Sequence, residues 1–130
     1  MKILLHPVLV HFPIAFYFLE LLLLTLWVSR QDEACYRFAE FSFGLGYLFM
    51  LVSMLVGLSD AGGFVNIHGL TALHAYSAVG VFIIYTLRGI YWRLGEKGRR
   101  GYVLIQFLGA FAGNGMIAYT SYLGGRLVYS

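Results

Sequence analysis

Residues 41–59 read FSFGLGYLFMLVSMLVGLS and contain no charged side chain. A helix of about 20 mostly apolar residues crosses the hydrocarbon core of a bilayer, and this run meets that requirement. Three further runs surround it: residues 3–27, in which Glu20 is the one formal charge, and residues 61–87 and 101–125, which carry none. The pattern predicts four transmembrane helices, near residues 8–29, 38–59, 69–92 and 102–123.

The composition of the 130-residue chain supports this interpretation. Of its residues 60% are hydrophobic and 12% are charged, whereas an average soluble domain has about 25% charged residues. An ordinary water-soluble domain and a disordered chain are therefore excluded, and the single Cys35 excludes a disulfide scaffold. The basic residues form no stripe on a soluble face, so nucleic-acid binding is not expected. We predict one all-α domain over residues 1–130, a four-helix transmembrane bundle.

The distribution of lysine and arginine predicts the orientation in the membrane. Arg30 and Arg37 fall in the first predicted connection, and five more fall at or in the third: Arg88, Arg93, Lys97, Arg99 and Arg100. Lys2 and Arg126 are left on the opposite side. Because basic residues accumulate on the cytoplasmic side, both termini are expected outside. The chain is then expected to be a multi-pass membrane protein.

All four histidines fall near the predicted outer face. His6 and His11 begin the first span, and His68 and His74 begin the third. Both spans run inward with a rise of 1.5 Å per residue, so His11 and His74 are expected at matching depth, roughly 5 Å below their helix starts. Asp60 ends the second span in the same layer.

Imidazole is the commonest metal ligand and also serves as an axial ligand of heme. Two histidines from different helices of a bundle can hold such a cofactor between them. The sequence therefore predicts heme b with His11 and His74 as axial ligands to its iron. His6 and His68 are expected to be additional cofactor-binding residues.

Two other functions stay open at the level of the sequence. One is a non-heme copper or iron site, built from His6, His11, Asp60 and His74. The absence of methionine or cysteine ligands near the outer face counts against a soft copper site, since the internal methionines are Met50, Met54 and Met116. The other is a structural accessory subunit of a larger respiratory or photosynthetic complex. Its expected partners are lipid, other membrane subunits or a second copy.

Two polar features inside the spans allow more than one interpretation. Glu20 lies in the middle of the first span, where it is either a structural, hydrogen-bonded group or part of a proton path. Gly109 and Gly113 form a GxxxG step in the fourth span. Such a step is typical of close helix packing, and here it predicts contact with another copy or subunit, or room for a flat macrocycle.

The chain reads HPVLVHFPIA at residues 6–15, GLSD at 57–60, LHA at 73–75 and GGRLVY at 124–129. In these segments it resembles the DUF2231 family of predicted bacterial four-helix membrane proteins, and the resemblance spans the whole chain. His68 lies outside the matching pattern. Related domains occur fused to Rieske or cytochrome c modules, so the resemblance implies membrane electron transfer in the bacterial inner membrane. In our leading hypothesis, a quinol or a cytochrome is the redox partner. It also draws attention to Asp60, Gly124, Gly125 and Tyr129 as site residues.

Overall fold

The computed structural model describes residues 5–63, 67–96 and 100–129. Within these ranges the chain forms helices only: α1 (His6–Leu9), α2 (His11–Arg30), α3 (Glu33–Asp60), α4 (Gly69–Leu94) and α5 (Arg100–Tyr129). Lys2, Lys97 and Arg99 lie outside the described residues, as do the side chains of Arg100 and Tyr129. The predicted all-α fold is confirmed.

Four helical segments are long and apolar enough to cross a membrane. They are His6–Arg30, which joins α1 and α2, Glu33–Asp60, Gly69–Leu94 and Gly101–Val128. The four predicted spans are confirmed, and the helices extend beyond the predicted limits. Two residues, Gln31 and Asp32, replace the longer first connection that we expected, so Arg37 lies inside α3.

This short connection has a clear local cause. Gln31 adopts the left-handed conformation with φ 56°, and its N–H donates to the Trp27 carbonyl at the end of α2. The Asp32 carboxylate then accepts a hydrogen bond of 2.9 Å from the Ala34 N–H and caps the start of α3. The chain thus reverses direction within two residues, which places α3 directly against α2.

The centre of the bundle contains an ion pair between helices. Arg88 of α4 donates from Nη1 to Glu20 Oε1 at 2.9 Å and from Nη2 to Glu20 Oε2 at 2.5 Å. Gln106 of α5 accepts from Arg88 Nη2 through its side chain at 3.1 Å and its main-chain carbonyl at 3.2 Å. Glu20 is 0% exposed and Arg88 7%. Charged side chains inside membranes are expected to pair in this way.

The ion pair corrects the expected position of Arg88 and agrees with one of the two roles expected for Glu20. Arg88 lies in the interior of the bundle and not at the third connection, because the carboxylate of Glu20 compensates its charge there. Glu20 has a structural role as the partner of a guanidinium, an arrangement that the sequence did not reveal. Arg93 at the end of α4 is exposed and keeps its place among the basic residues that predict orientation.

Aromatic rings surround the guanidinium group. The Arg88 Cζ atom lies 5.1 Å from the ring centroid of Phe43, 5.3 Å from that of Tyr85 and 5.8 Å from that of Trp92. The Tyr85 ring stacks on Tyr17, with centroids 3.6 Å apart. Cation–π contacts of this kind gain strength where water is excluded, so the rings help to hold the charge in place.

The GxxxG step of α5 packs against these same side chains. A Cβ atom at Gly109 would lie 3.0 Å from Arg88 Cδ, and one at Gly113 would lie 2.7 Å from the Tyr85 ring. Both glycines therefore give α4 a close approach to α5 within one chain. The expectation that they contact another copy or subunit is wrong, because Arg88 and Tyr85 occupy that side of the helix.

We predict that Arg88→Met strongly destabilises the protein. Removing one partner of a buried ion pair leaves an uncompensated charge, at a cost of roughly 3–5 kcal/mol. The measurement is the free energy of unfolding by denaturant titration in detergent micelles. Arg93→Met, which removes an exposed arginine from the same helix, should change this free energy little.

The double variant Glu20→Met/Arg88→Met tests the cause. It removes both charges, so it should regain most of the stability that Arg88→Met loses. An Arg88→Met protein as stable as the unmodified chain would contradict the proposed role of the ion pair.

Candidate functional site

A partly open cavity of about 310 Å³ lies at the end of the bundle where α1 and α4 begin and α3 and α5 end. Its volume is at the lower limit of pockets that bind small molecules, about 300–1,000 Å³. The walls are mainly apolar and come from all the helices; His6, His11, His74, Ser53, Thr120 and Ser121 supply polar atoms. Apolar walls with a few polar groups are typical of a ligand site.

His6 is fixed by two hydrogen bonds to α3. Its ring Nδ1 lies 2.7 Å from the Ser53 main-chain carbonyl, and its main-chain N–H donates to Asp60 Oδ2 at 3.1 Å. Because a carbonyl oxygen only accepts, the ring proton must be on Nδ1. In the neutral imidazole, Nε2 then carries a lone pair that can bind a metal. Asp60 thus fixes the start of α1 and does not line the cavity.

His74 has the same arrangement on the opposite side. Its Nδ1 lies 3.0 Å from the main-chain carbonyl of Thr120 in α5, so its proton is also on Nδ1. The rings of His6 and His74 have centroids 5.9 Å apart and planes inclined by 78°. Donation from one ring nitrogen to a backbone carbonyl is the usual way in which proteins orient a metal-binding histidine.

Two glycines provide the space for these rings, one in the segment 57–60 and one in the segment 124–129. A Cβ atom at Gly57 would lie 2.6 Å from His6 Nδ1, which is closer than atoms can approach. A Cβ atom at Gly124 would lie 3.1 Å from His74 Cε1. All four segments therefore meet at one place, because each either contains one of the two histidines or contacts it.

The two other histidines have different environments. His11 lines the cavity, but it is exposed, and its Nδ1 lies 3.3 Å from the Val8 carbonyl of its own helix turn. His68 is the exposed residue that precedes α4, and it does not line the cavity. The histidine that the structure places beside His74 is thus His6 and not His11. The side chain of Tyr129 lies outside the described residues, and Gly125 lines the cavity.

The four-residue metal site suggested by the sequence does not assemble. Within residues 5–63, 67–96 and 100–129, no three His, Cys, Asp or Glu side chains come together as a metal-binding group. Asp60 is engaged at the main chain of His6, and His11 turns to its own helix. The corresponding set of His6, His11, Asp60 and His74 is therefore corrected to the pair His6 and His74.

Sequence reasoning also missed residues of α3 that line the cavity. Met50, Ser53 and Met54 share one face of this helix by their spacing, and all three line the cavity. The expectation that no methionine lies near the histidines is therefore wrong. Ser53 is 3% exposed, and its hydroxyl has no hydrogen-bond partner among the described residues. A buried hydroxyl without a partner beside a cavity indicates a site for a polar group of a ligand or for water.

We predict that His6 and His74 are both Nδ1–H tautomers. We also predict that Gly57→Ala displaces the ring of His6 but not that of His74. The added methyl group would overlap His6 Nδ1, so the bond to the Ser53 carbonyl should break. Long-range ¹H–¹⁵N NMR of protein labelled at histidine distinguishes the tautomers.

Gly44→Ala is the matched control, because a Cβ atom at Gly44 meets nothing within 4 Å. An Nε2–H form of His6 in the unmodified protein would contradict the hydrogen bond on which this site is built. The same conclusion would follow if Gly57→Ala left the His6 signals unchanged.

Comparison with known proteins identifies the family. No curated protein and no solved structure matches the chain. The family described as "Predicted membrane protein (DUF2231)" matches residues 2–130, which is essentially the whole chain. This match confirms the resemblance carried by the four short segments. The chain belongs to the DUF2231 family of predicted membrane proteins.

Proposed function

We propose that this chain is a membrane electron-transfer subunit that holds heme b between His6 and His74. The observation that carries the proposal is the paired arrangement of the two imidazoles. Their centroids are 5.9 Å apart at one cavity, and each Nδ1 donates to a main-chain carbonyl. Each ring therefore has Nε2 as its ligating nitrogen, and two such nitrogens are what a heme iron needs.

The distance between the rings suits two ligands of one metal. Histidine nitrogens bind metals at about 2 Å, so two imidazoles that held one metal would have their ligating nitrogens within roughly 4 Å of each other. The ring centroids lie beyond these nitrogens, which makes the observed 5.9 Å compatible with such a pair. The cavity of about 310 Å³ is partly open, so a group larger than this volume can extend beyond it.

The residues around the pair have separate roles in this proposal. When bound, heme supplies an iron that gains or loses one electron. Ser53 and Thr120 orient the imidazoles through their carbonyls. Apolar residues such as Ile14, Val81 and Ile117 line the cavity and limit the access of water.

We predict that His6→Ala and His74→Ala abolish a b-type absorbance of the purified protein. Each change removes one of the two anchored imidazoles, so the iron loses an axial ligand. The measurement is the reduced-minus-oxidised difference spectrum, expressed per chain and accompanied by size-exclusion chromatography as a check of folding.

His11→Ala and His68→Ala are the matched controls and should keep most of the absorbance. His11 is exposed and directed to its own helix, and His68 is remote from the cavity. If His11→Ala removed the spectrum while His6→Ala preserved it, the pairing of His11 with His74 expected from the sequence would be correct. An unmodified protein without b-type absorbance would overturn the heme proposal and favour the accessory-subunit function.

The redox partner is proposed from chemistry alone. A membrane-embedded one-electron carrier exchanges electrons with a quinol in the lipid or with a cytochrome at the membrane surface. Self-association or assembly with other membrane subunits is compatible with the many exposed apolar side chains, which also suit lipid. Leu55, Phe41 and Leu94, for example, are 70%, 67% and 80% exposed.

We propose that the cavity end faces the outside of the bacterial inner membrane. Arg30, Arg37 and Arg93 lie at the opposite end of the bundle, whereas Arg126 is near the cavity end. Positive residues mark the cytoplasmic side, so this arrangement keeps the orientation expected from the sequence.

We predict that an alkaline phosphatase fused after Ser130 is active and that one inserted within residues 93–100 is inactive. Phosphatase folds only outside the cytoplasm, because it needs disulfides. Fluorescent-protein fusions at the same points should give the reverse pattern. The opposite pair of results would place both termini and the cavity on the cytoplasmic side.

A further inference from the structure

The cavity contains sulfur donors as well as imidazoles. Met50 and Met54 line it from α3, on either side of the main-chain carbonyl that orients His6. Met50 is 5% exposed, and its sulfur accepts a long hydrogen bond of 3.8 Å from the Tyr17 hydroxyl. Met54, one turn closer to the cavity end, has no such contact among the described residues. Its thioether is therefore the more available of the two.

All of these donors are neutral. The described residues that line the cavity include no aspartate, glutamate or cysteine. Hard dications such as Mg²⁺ and Ca²⁺ prefer carboxylate and carbonyl oxygens, and structural zinc sites use mostly thiolates and imidazoles. Thioethers with imidazoles are instead the donors that select the soft, monovalent ion Cu(I).

The electrostatics of the site favour the same ion. Neutral ligands compensate no charge, and every unit of charge inside a membrane protein is costly. A monovalent ion in a neutral, mostly apolar cavity carries the smallest net charge that a metal cation can have. The buried ion pair of Glu20 and Arg88 is already balanced and supplies no extra negative charge.

We infer that the heme-free protein binds one Cu(I) ion through His6, His74 and the thioether of Met54. Met50, one turn deeper, is the additional soft donor. This inference rests on the proposed function in one respect, because both assign the imidazoles of His6 and His74 as ligands. Heme and Cu(I) therefore compete for the site.

The test uses the full chain produced by cell-free synthesis into nanodiscs without added heme. Cu(I) is supplied as its coloured bicinchoninate complex under anaerobic, reducing conditions, and transfer to the protein is followed by the loss of colour. The unmodified chain should take up one Cu(I) per chain. Met54→Leu should raise the dissociation constant at least about tenfold, which is the effect expected even for residues that only orient a metal ligand. His6→Ala and His74→Ala should weaken binding at least as much.

Met116→Leu is the matched control. Met116 is half-buried like Met54 but does not line the cavity, and exchange of methionine for leucine nearly conserves volume. This variant should bind Cu(I) as the unmodified chain does. The inference is overturned if the unmodified chain takes up no Cu(I), or if Met54→Leu and Met116→Leu bind equally well.

A second measurement separates this inference from the proposed function. The heme spectrum depends on His6 and His74 but not on the thioether, so Met54→Leu should leave the b-type absorbance of heme-loaded protein intact. A chain that binds Cu(I) but never heme would overturn the proposed function alone. A chain that binds heme but not Cu(I) would overturn the inference alone.

Discussion

The pairing of Glu20 with Arg88 is the interaction on which the rest of the structure depends. An isolated carboxylate or guanidinium inside an apolar bundle is costly, and the two become acceptable only together. Their contact joins α2 to α4, and Gln106 extends it to α5. Because two charges must meet at one point, the axial positions of these helices are fixed relative to each other. Apolar packing between spans in lipid would leave those positions less defined, because lipid tails are as apolar as the helix surfaces.

The cavity is positioned by the same interaction through a pair of stacked tyrosines. Tyr85 lies over the Arg88 guanidinium and stacks on Tyr17, which lines the cavity. A Cβ atom at Gly46 would lie 2.9 Å from the Tyr17 ring, so this glycine is needed for the ring to fit. Asn114 donates to the Tyr17 carbonyl at 3.3 Å. Tyr17, at the inner end of the cavity, is therefore in contact with three other helices, and the two histidines lie closer to the end of the bundle.

The sequence predicted what depends on hydropathy and on the alternation of direction between spans. Because successive spans run in opposite directions, the segments 6–15, 73–75 and 124–129 fall at the same end of the bundle. This is why His6, His74 and Gly124 could be expected together. The sequence did not predict which histidine faces His74, because the depth of each histidine in the membrane was counted from an assumed helix start. The helical chain begins at His6, whose ring lies beside that of His74, whereas His11 begins α2 and is exposed. The partner of Glu20 was also not predictable, because it lies 68 positions away and looks like a residue of the third connection.

The neutrality of the site follows from how the charges are distributed. Among the described residues, the buried carboxylate of Glu20 is balanced by the buried guanidinium of Arg88, and Asp60 is used at the main chain of His6. At the cavity end two helix N-termini, of α1 and α4, meet two C-termini, of α3 and α5, so their opposite dipoles largely cancel. The described residues that line the cavity also include no carboxylate. Selection must then come from the donors themselves, which are two oriented imidazoles, two thioethers and one buried hydroxyl. At the proposed site, such a set favours a soft metal ion over one of large charge.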